Sequence, residues 1–153
     1  MSEKRTELNN SLKIAQKAKE KVKTSTIRLI NAAIKDRDIA ARAKGNTDGI
    51  ADDEILSLLQ SMIKQRKESS KIYRDAERMD LAEREEEEIG IIQGFLPQQL
   101  GEDELKSIIK TIVAEIDATD IKDMGKVMGV LKGKYAGQLD MGKASTLVKG
   151  ALG

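Results

Sequence analysis

A single proline, Pro97, interrupts a sequence of 153 residues that otherwise favours helix. Proline lacks a backbone N–H and disfavours the α conformation in the residue before it, so a helix that runs up to Gly94 is expected to stop there. The sequence therefore predicts two helical domains, over residues 1–94 and 102–153, joined by the proline-containing segment 95–101.

Apolar residues recur at helical spacing on both sides of this joint, and no segment alternates as a strand would. Four helices are predicted before Pro97, starting in turn at Glu3, after the caps Thr24 to Thr26, at Asp52 or Asp53, and at the capping box opened by Asp80. The third is expected to bury one face, formed by Ile55, Leu59, Met62 and Tyr73. The predicted fold class is all-α, with about four helices in the N-terminal domain.

Beyond Pro97 the apolar pattern shortens into three helices. Their predicted core residues are Leu105, Ile108, Ile109, Ile112 and Ile116, then Met124, Val127, Met128 and Leu131, then Leu147, Val148 and Leu152. A bundle of this size is near the lower limit for independent folding. Met128→Asp is therefore expected to unfold it, because an unpaired carboxylate would enter the core.

The chain contains no cysteine and no histidine. Disulfides, thiolate metal sites and Ser–His or Cys–His nucleophile pairs are thereby excluded, which argues against an independent enzyme and predicts no cofactor, no metal and no catalytic residue. The lack of cysteine predicts a cytoplasmic location. Because the N-terminus lacks a signal-peptide core and no run of about 18 apolar residues occurs, neither secretion nor membrane insertion is expected.

The net charge of +1 hides an uneven distribution along the chain. Residues 1–44 carry 12 Lys/Arg against 5 Asp/Glu, residues 45–120 carry 9 against 19, and residues 121–153 carry 6 against 2. A polyanion would therefore be attracted to the two ends. With only Tyr73, Phe95 and Tyr135 as aromatic residues, RNA would be contacted through its shape and backbone, and base stacking is not expected.

A row of basic residues on the third predicted helix is the first candidate RNA contact. It consists of Lys64, Lys67, Lys71, Arg74 and Arg78, spaced three or four apart. On one continuous helix these residues form a narrow stripe that could contact phosphates. The alternative is a solvated face, in which Glu68 and Asp75 pair with the lysines four residues before them.

Glycines at every fourth position form the second candidate: Gly125, Gly129, Gly133 and Gly137. Because glycine inside a helix costs about 1 kcal/mol relative to alanine, this density indicates close backbone contact. The contact is either with a neighbouring helix or with a ligand. In the second case a sugar-phosphate backbone could approach the glycines, Gly125 and Gly129 in particular, between the flanking lysines Lys122, Lys126, Lys132, Lys134 and Lys143.

Residues 137–144 imitate a phosphate-binding P-loop but do not satisfy its chemistry. The magnesium-binding Ser or Thr is replaced by Ala144, no strand precedes the loop, and Asp140 would repel phosphate. Asp140 is instead predicted to be the N-cap of the last helix. The acidic run from Glu83 to Glu88 is similarly interpreted as a solvated helix face and not as a cation site.

Four segments, in this order and at these intervals, resemble the YqeY family: Arg28–Ala32, Lys64–Ser69, Phe95–Leu100 and Asp123–Gly129. This family is the free-standing, mainly bacterial relative of the tail of GatB, a subunit of the tRNA-dependent glutamine amidotransferase. The resemblance covers essentially the whole chain, with one departure, since the family often has Asp-Gly where this chain reads Asp140-Met141-Gly142.

The resemblance implies a helical N-terminal domain joined to a small helical domain of the kind that helps the amidotransferase hold tRNA. By position, its tRNA-facing candidates are Lys126 with its neighbours in Asp123–Gly129, and Lys143. The family is associated with carbon–nitrogen ligase activity that uses glutamine as amido donor, but in the amidotransferase that chemistry resides in other domains, whose motifs are absent from this sequence. The leading hypothesis is therefore a non-catalytic tRNA- or RNA-binding accessory protein acting beside an amidotransferase or a synthetase. The alternatives are a protein-interaction adaptor without an RNA role and catalytic participation within an amide-forming complex.

Overall fold

Seven α-helices and one 3₁₀ helix make up the described part of the chain, residues 2–153 of a computed structural model, and no strand occurs in that range. The helices are α1 (Glu3–Lys17), α2 (Lys21–Ala43), α3 (Asp52–Asp75), α4 (Met79–Gln93), α5 (Glu102–Glu115), α6 (Met124–Lys134, preceded by the 3₁₀ turn Ile121–Asp123) and α7 (Met141–Leu152). The all-α prediction is confirmed. The chain divides into two compact units, an N-terminal unit that ends at Leu96 and a C-terminal unit that begins at Pro97.

The start of α2 differs from the prediction. It begins at Lys21, and the expected caps lie inside the helix, where the hydroxyls of Ser25 and Thr26 both donate to the carbonyl of Val22, at 3.1 and 2.8 Å. Hydroxyl side chains can bond carbonyls one turn earlier in a helix as readily as they cap one, so composition alone did not separate the two roles. Asp80 likewise lies in the first turn of α4 and is not its N-cap, which is Arg78; the Asp80 carboxylate accepts from the guanidinium of Arg78 at 3.4 Å.

The core of the N-terminal unit is formed by aliphatic residues from α1 to α4, with Phe95 at its edge. Its fully buried members are Leu8, Ile27, Ile30, Ile55, Leu59 and Ile92. Tyr73 was predicted on this face, and that prediction is wrong, since Tyr73 is half-buried and lies outside the core. The reason is length: α1 and α3 start at the same level, where the amide of Lys4 reaches Asp52, but α3 has 24 residues against 15. At about 1.5 Å per residue, α3 is about 13 Å longer than α1, and Tyr73 lies in its last turn.

The core of the C-terminal unit follows the predicted pattern closely. Its buried residues are Leu105, Ile109, Ile112, Val127, Leu131, Leu139, Ala144 and Val148. Met124 and Met128 are only half-buried at its margin. The N-cap assigned to Asp140 is confirmed, because its carboxylate accepts from the amides of Gly142 and Lys143 at 2.8 and 3.1 Å. No helix in the described range is long and apolar enough to cross a membrane.

An ion pair fastens α1 to α2 and to the loop that follows α2. Arg5 donates two hydrogen bonds of 2.8 Å to the carboxylate of Asp38 and a third of 3.0 Å to the carbonyl of Ile50. Asp38 also accepts from the amide of Ile50 at 2.8 Å. Gly49 lies beside the side chains of Arg5 and Asp38 and has φ of +88°. A Cβ at this position would lie 2.9 Å from both side chains. The loop conformation therefore depends on a glycine and on this pair together.

Asp38→Asn is expected to make the N-terminal unit less stable at neutral pH but not in acid. The hydrogen bond from Arg5 lowers the pKa of Asp38 below its ordinary value of 3.8. A carboxyl with a lowered folded pKa contributes stability above its unfolded pKa and loses it as pH falls through the folded pKa. Urea unfolding across pH should show a gap between wild type and variant that is constant at neutral pH and closes in acid. A gap that does not change with pH would contradict this assignment.

Candidate nucleic-acid interface

The glycines of α6 lie on its exposed side, opposite its buried residues. A Cβ added at Gly125, Gly129 or Gly133 would meet no atom within 4 Å. Packing against a neighbouring helix, one of the two explanations given for the glycine series, is therefore wrong for these three glycines, whereas Gly137 lies beyond the end of α6 and is buried with φ of +76°. Val127 and Leu131 form the buried side of α6, so the glycines leave a strip of bare backbone on its outer face.

Two lysines flank this strip symmetrically. At 100° per residue, Lys126 and Lys132 lie about 60° to either side of Gly129 around the helix axis. Both are exposed, and α6 itself carries no Asp or Glu. We refer to Gly125, Gly129 and Gly133 with Lys126 and Lys132 as the α6 strip.

The other predicted lysines of the C-terminal unit do not lie on the α6 strip. Lys134 is about 140° from Gly129 around the helix, although it is exposed. Lys122 belongs to the 3₁₀ turn, and Lys143 belongs to the first turn of α7. All three are exposed, and all three add positive charge to the same unit.

One carboxylate lies close to the α6 strip. Asp123 is 3.8 Å from the ammonium of Lys126, at the long end of an ion pair. Its main hydrogen bonds are with the start of the 3₁₀ turn, where it accepts from the amide of Thr119 at 2.9 Å. That bond, with a second from the amide of Asp120, lowers the pKa of Asp123. Asp123 therefore stays ionised for a structural reason and neutralises Lys126 only weakly.

The predicted basic stripe on α3 is not continuous. Helix α3 ends at Asp75, so Arg78 lies beyond it and pairs with Asp80 at 3.4 Å. Arg74 points to α4, where both oxygens of Glu86 accept from it at 2.6 Å. This pairing raises the pKa of Arg74. Both arginines are therefore held by carboxylates, which leaves less charge for phosphate than the sequence suggested.

Lys64, Lys67 and Lys71 are exposed on α3, and none forms an ion pair within the described residues. The pairs with Glu68 and Asp75 that the alternative of a solvated face included are not formed. Those two carboxylates nevertheless lie within about 40° of Lys64 around the helix axis. Their negative charge reduces the positive potential of the three lysines.

The acidic run of α4 is only partly solvated, contrary to the prediction. Glu88 is buried and accepts from Arg66 at 3.0 Å and from Arg84 at 3.3 Å, while Glu86 holds Arg74 and accepts from the hydroxyl of Ser70 at 3.0 Å. These bonds lower the pKa of Glu86, chiefly through Arg74. Across residues 2–153 no group of three potential ligands could hold a metal ion. The carboxylates of Glu86 and Glu88 thus hold α4 against α3 through their bonds to residues of α3.

Comparison with known proteins identifies the family. The YqeY-like protein family matches residues 5–152, nearly the whole chain. The chain belongs to the YqeY-like family. The family likeness therefore includes both units, the α6 strip as well as the helices before Pro97.

Curated relatives of this family member occur in fungi. Two are named Altered inheritance of mitochondria protein 41, mitochondrial. The one from Pyrenophora tritici-repentis is 31% identical over 83% of this chain and 70% of its own length, and the one from Lachancea thermotolerans is 34% identical over 71% of this chain and 57% of its own. An uncharacterized protein of Schizosaccharomyces pombe is 32% identical over 55% of this chain and 64% of its own length.

These relatives correct two expectations. The predicted cytoplasmic location is overturned, because two of the relatives are named as mitochondrial proteins. The relatives are also eukaryotic, whereas the resemblance implied a mainly bacterial family. The absence of cysteine was the basis of the first expectation, and it indicates a reducing environment without specifying a compartment.

Proposed function

We propose that this YqeY-like protein is a non-catalytic accessory protein that binds tRNA or another RNA, with the α6 strip as a contact. The observation that carries the proposal is the bare helical backbone of Gly125, Gly129 and Gly133 between two exposed lysines. A phosphate backbone can approach a surface without side chains closely while the lysines neutralise it on both sides. Contacts of this kind position an RNA by its shape and do not read its sequence.

The C-terminal unit, residues 97–153, carries eight lysines against eight Asp/Glu, but its positive charge is concentrated in the segment that contains α6 and α7, and this supports the same proposal. Residues 121–153 carry six lysines against two carboxylates, and both carboxylates, Asp123 and Asp140, are engaged in capping hydrogen bonds with backbone amides. The unit therefore presents positive potential over its last two helices, which would attract a polyanion. We propose an amidotransferase or a synthetase as the machinery beside which such a protein acts.

Lys126→Gln combined with Lys132→Gln is expected to weaken the binding of unfractionated tRNA. Each lost phosphate contact reduces the dependence of log affinity on log salt by about 1, so the slope should fall by about 2, without a change in RNA preference. Filter binding across a salt series measures this. The matched control is Lys106→Gln with Lys110→Gln, which removes the same charge from exposed positions on α5. A wild-type protein that binds neither unfractionated tRNA nor total cellular RNA, even at low salt, would end the proposal.

Gly129→Ala is expected to affect stability and RNA binding in opposite directions. Because an added methyl group would meet nothing, alanine should stabilise α6 by about 1 kcal/mol through helix propensity. If RNA lies against the strip, the same methyl group should weaken tRNA binding. Gly150→Ala on α7 is the control, since its Cβ also meets nothing, and it should stabilise without loss of binding. Equal tRNA affinity in both variants would remove the strip from the interface.

A protein-interaction adaptor is the second candidate function, and the end of the α3–α4 hairpin favours it. Ile72 is 65% exposed and Met79 is 47% exposed, beside the turn that joins the two helices. Apolar side chains this exposed are contacts available to a protein partner. A partner that survives nuclease treatment and is lost with Ile72→Ser but kept with Ile14→Ser would support this function over the first.

A further inference from the structure

The turn between α1 and α2 carries the densest cluster of lysines in the chain. Five lysines lie within eleven residues: Lys13, Lys17, Lys19, Lys21 and Lys23. The first two lie one turn apart on α1, Lys19 is in the turn itself, and the last two are in the first turn of α2. All are exposed except Lys23, which is half-buried. We call these five residues the turn cluster.

The segment around the turn cluster contains little negative charge of its own. Between Glu7 and Asp36 the sequence contains seven Lys/Arg and one carboxylate, Glu20. In the part of the chain that the structure describes, no ion pair within 4 Å involves any of the five lysines or Glu20. Arg66, Arg74 and Arg84 in the same unit are all paired. The turn cluster is thus free to bind an anion from outside the chain.

Several of these lysines also occupy positions that local structure does not favour. Lys19 has φ of +58°, a left-handed conformation that glycine adopts without strain. Lys21 and Lys23 place positive charge in the first turn of α2, where the helix dipole is already positive, and Glu20 makes no side-chain capping bond there. Glu77 and Asp117 adopt the same left-handed conformation after the ends of other helices, so the placement specific to this cluster is that of the two lysines at the start of α2.

We propose that the turn cluster is a second RNA-backbone binding surface, located in the N-terminal unit. This rests on the proposed RNA-binding function and extends it to a site distinct from the α6 strip. Lysines act as flexible point charges that suit phosphate oxygens without reading bases. RNA is favoured over an anionic membrane because the surface has one strongly exposed apolar side chain, Ile14, and no aromatic residue, whereas an interfacial helix needs a continuous apolar face.

The experiment compares full-length variants that lose the same charge at opposite ends of α2. The turn variant is Lys17→Gln with Lys19→Gln and Lys21→Gln. The control variant is Lys35→Gln with Arg37→Gln and Lys44→Gln, all exposed residues of the same unit. Filter binding of unfractionated tRNA across salt should show about tenfold weaker binding for the turn variant and a salt slope smaller by two to three. The control variant should stay within about twofold of wild type.

Other outcomes separate this proposal from the one on α6. If the turn variant binds tRNA like the control while the Lys126→Gln, Lys132→Gln variant binds weakly, the turn cluster is not an RNA site and the α6 strip stands. If only the turn variant loses binding, the α6 assignment fails and this one stands. Loss of binding to phosphatidylglycerol vesicles, with tRNA binding unchanged, would reassign the cluster to membranes and overturn the proposal.

A further variant, Lys19→Gly, separates an effect on folding from an effect on tRNA binding. Glycine relieves the left-handed backbone, so the melting temperature should be unchanged or higher. Affinity for tRNA should nevertheless fall, because one lysine of the cluster is lost. An affinity equal to that of wild type would count against a role for the turn.

Discussion

Leu131→Asp is expected to unfold the C-terminal unit and to leave the N-terminal unit folded. Leu131 is 0% exposed among Leu105, Ile109 and Val127, so a carboxylate there would have no hydrogen-bond partner. Removing a buried leucine side chain alone costs about 2–5 kcal/mol. At about 0.1 kcal/mol per residue, the unit of residues 97–153 has about 6 kcal/mol in total. The added cost of a buried charge removes the remainder.

Far-UV circular dichroism measures the total loss of helix, and amide hydrogen exchange assigns that loss to one unit or the other. Exchange should become fast over α5 to α7 and stay slow over the core of α1 to α4. Met128→Asp is the matched variant, because it places the same carboxylate on the same helix, three residues before Leu131. Sequence periodicity placed Met128 in the core, but it is half-buried at the margin, so its carboxylate can reach water and the loss should be smaller. Equal unfolding by both variants would show that Met128 belongs to the core after all.

The sequence sufficed for the fold class because its apolar periodicity is local information. The spacing of Leu105, Ile109 and Ile112 specifies a helix and its buried face without reference to any other segment. The same holds for the stop before Pro97, where α4 ends at Gln93, and for the cap at Asp140. Tyr73 has the correct spacing for the buried face, but the prediction that it is buried is wrong, because burial at that point of α3 depends on whether another helix extends to it.

The charged residues could not be predicted in the same way, since their partners lie on other helices. Lys64 and Lys71 each have a carboxylate four residues later in the sequence, but neither lysine forms an ion pair with it. Arg74 instead pairs with Glu86, twelve residues on, across the α3–α4 interface. Which charges remain free for a ligand therefore depends on helix register. That is why the turn cluster, which the sequence marked only as part of a basic end of the chain, keeps five lysines without an ion pair, whereas the α3 row keeps three.

Arg66→Met is expected to lower the stability of the N-terminal unit by about 3 kcal/mol, because it leaves Glu88 buried without its main partner. The side chains of Arg66 and Glu88 are 14% and 11% exposed, and Arg66 also donates to the carbonyl of Met62 at 3.2 Å. After the substitution Glu88 keeps only the longer bond to Arg84, whose side chain is 48% exposed. Urea unfolding followed by circular dichroism measures the loss.

The double variant Arg66→Met, Glu88→Met decides whether the charge or the packing is responsible. Two methionines of similar length can fill the space without a buried charge, so the double variant should regain most of the stability that Arg66→Met loses. Arg74→Met provides the comparison at the neighbouring pair, where both side chains are more than 40% exposed and solvent screens the charges, so its effect should be much smaller. If the double variant is as unstable as Arg66→Met, the arginine acts through its packing against α3 and α4, and Glu88 is not the reason that it is needed.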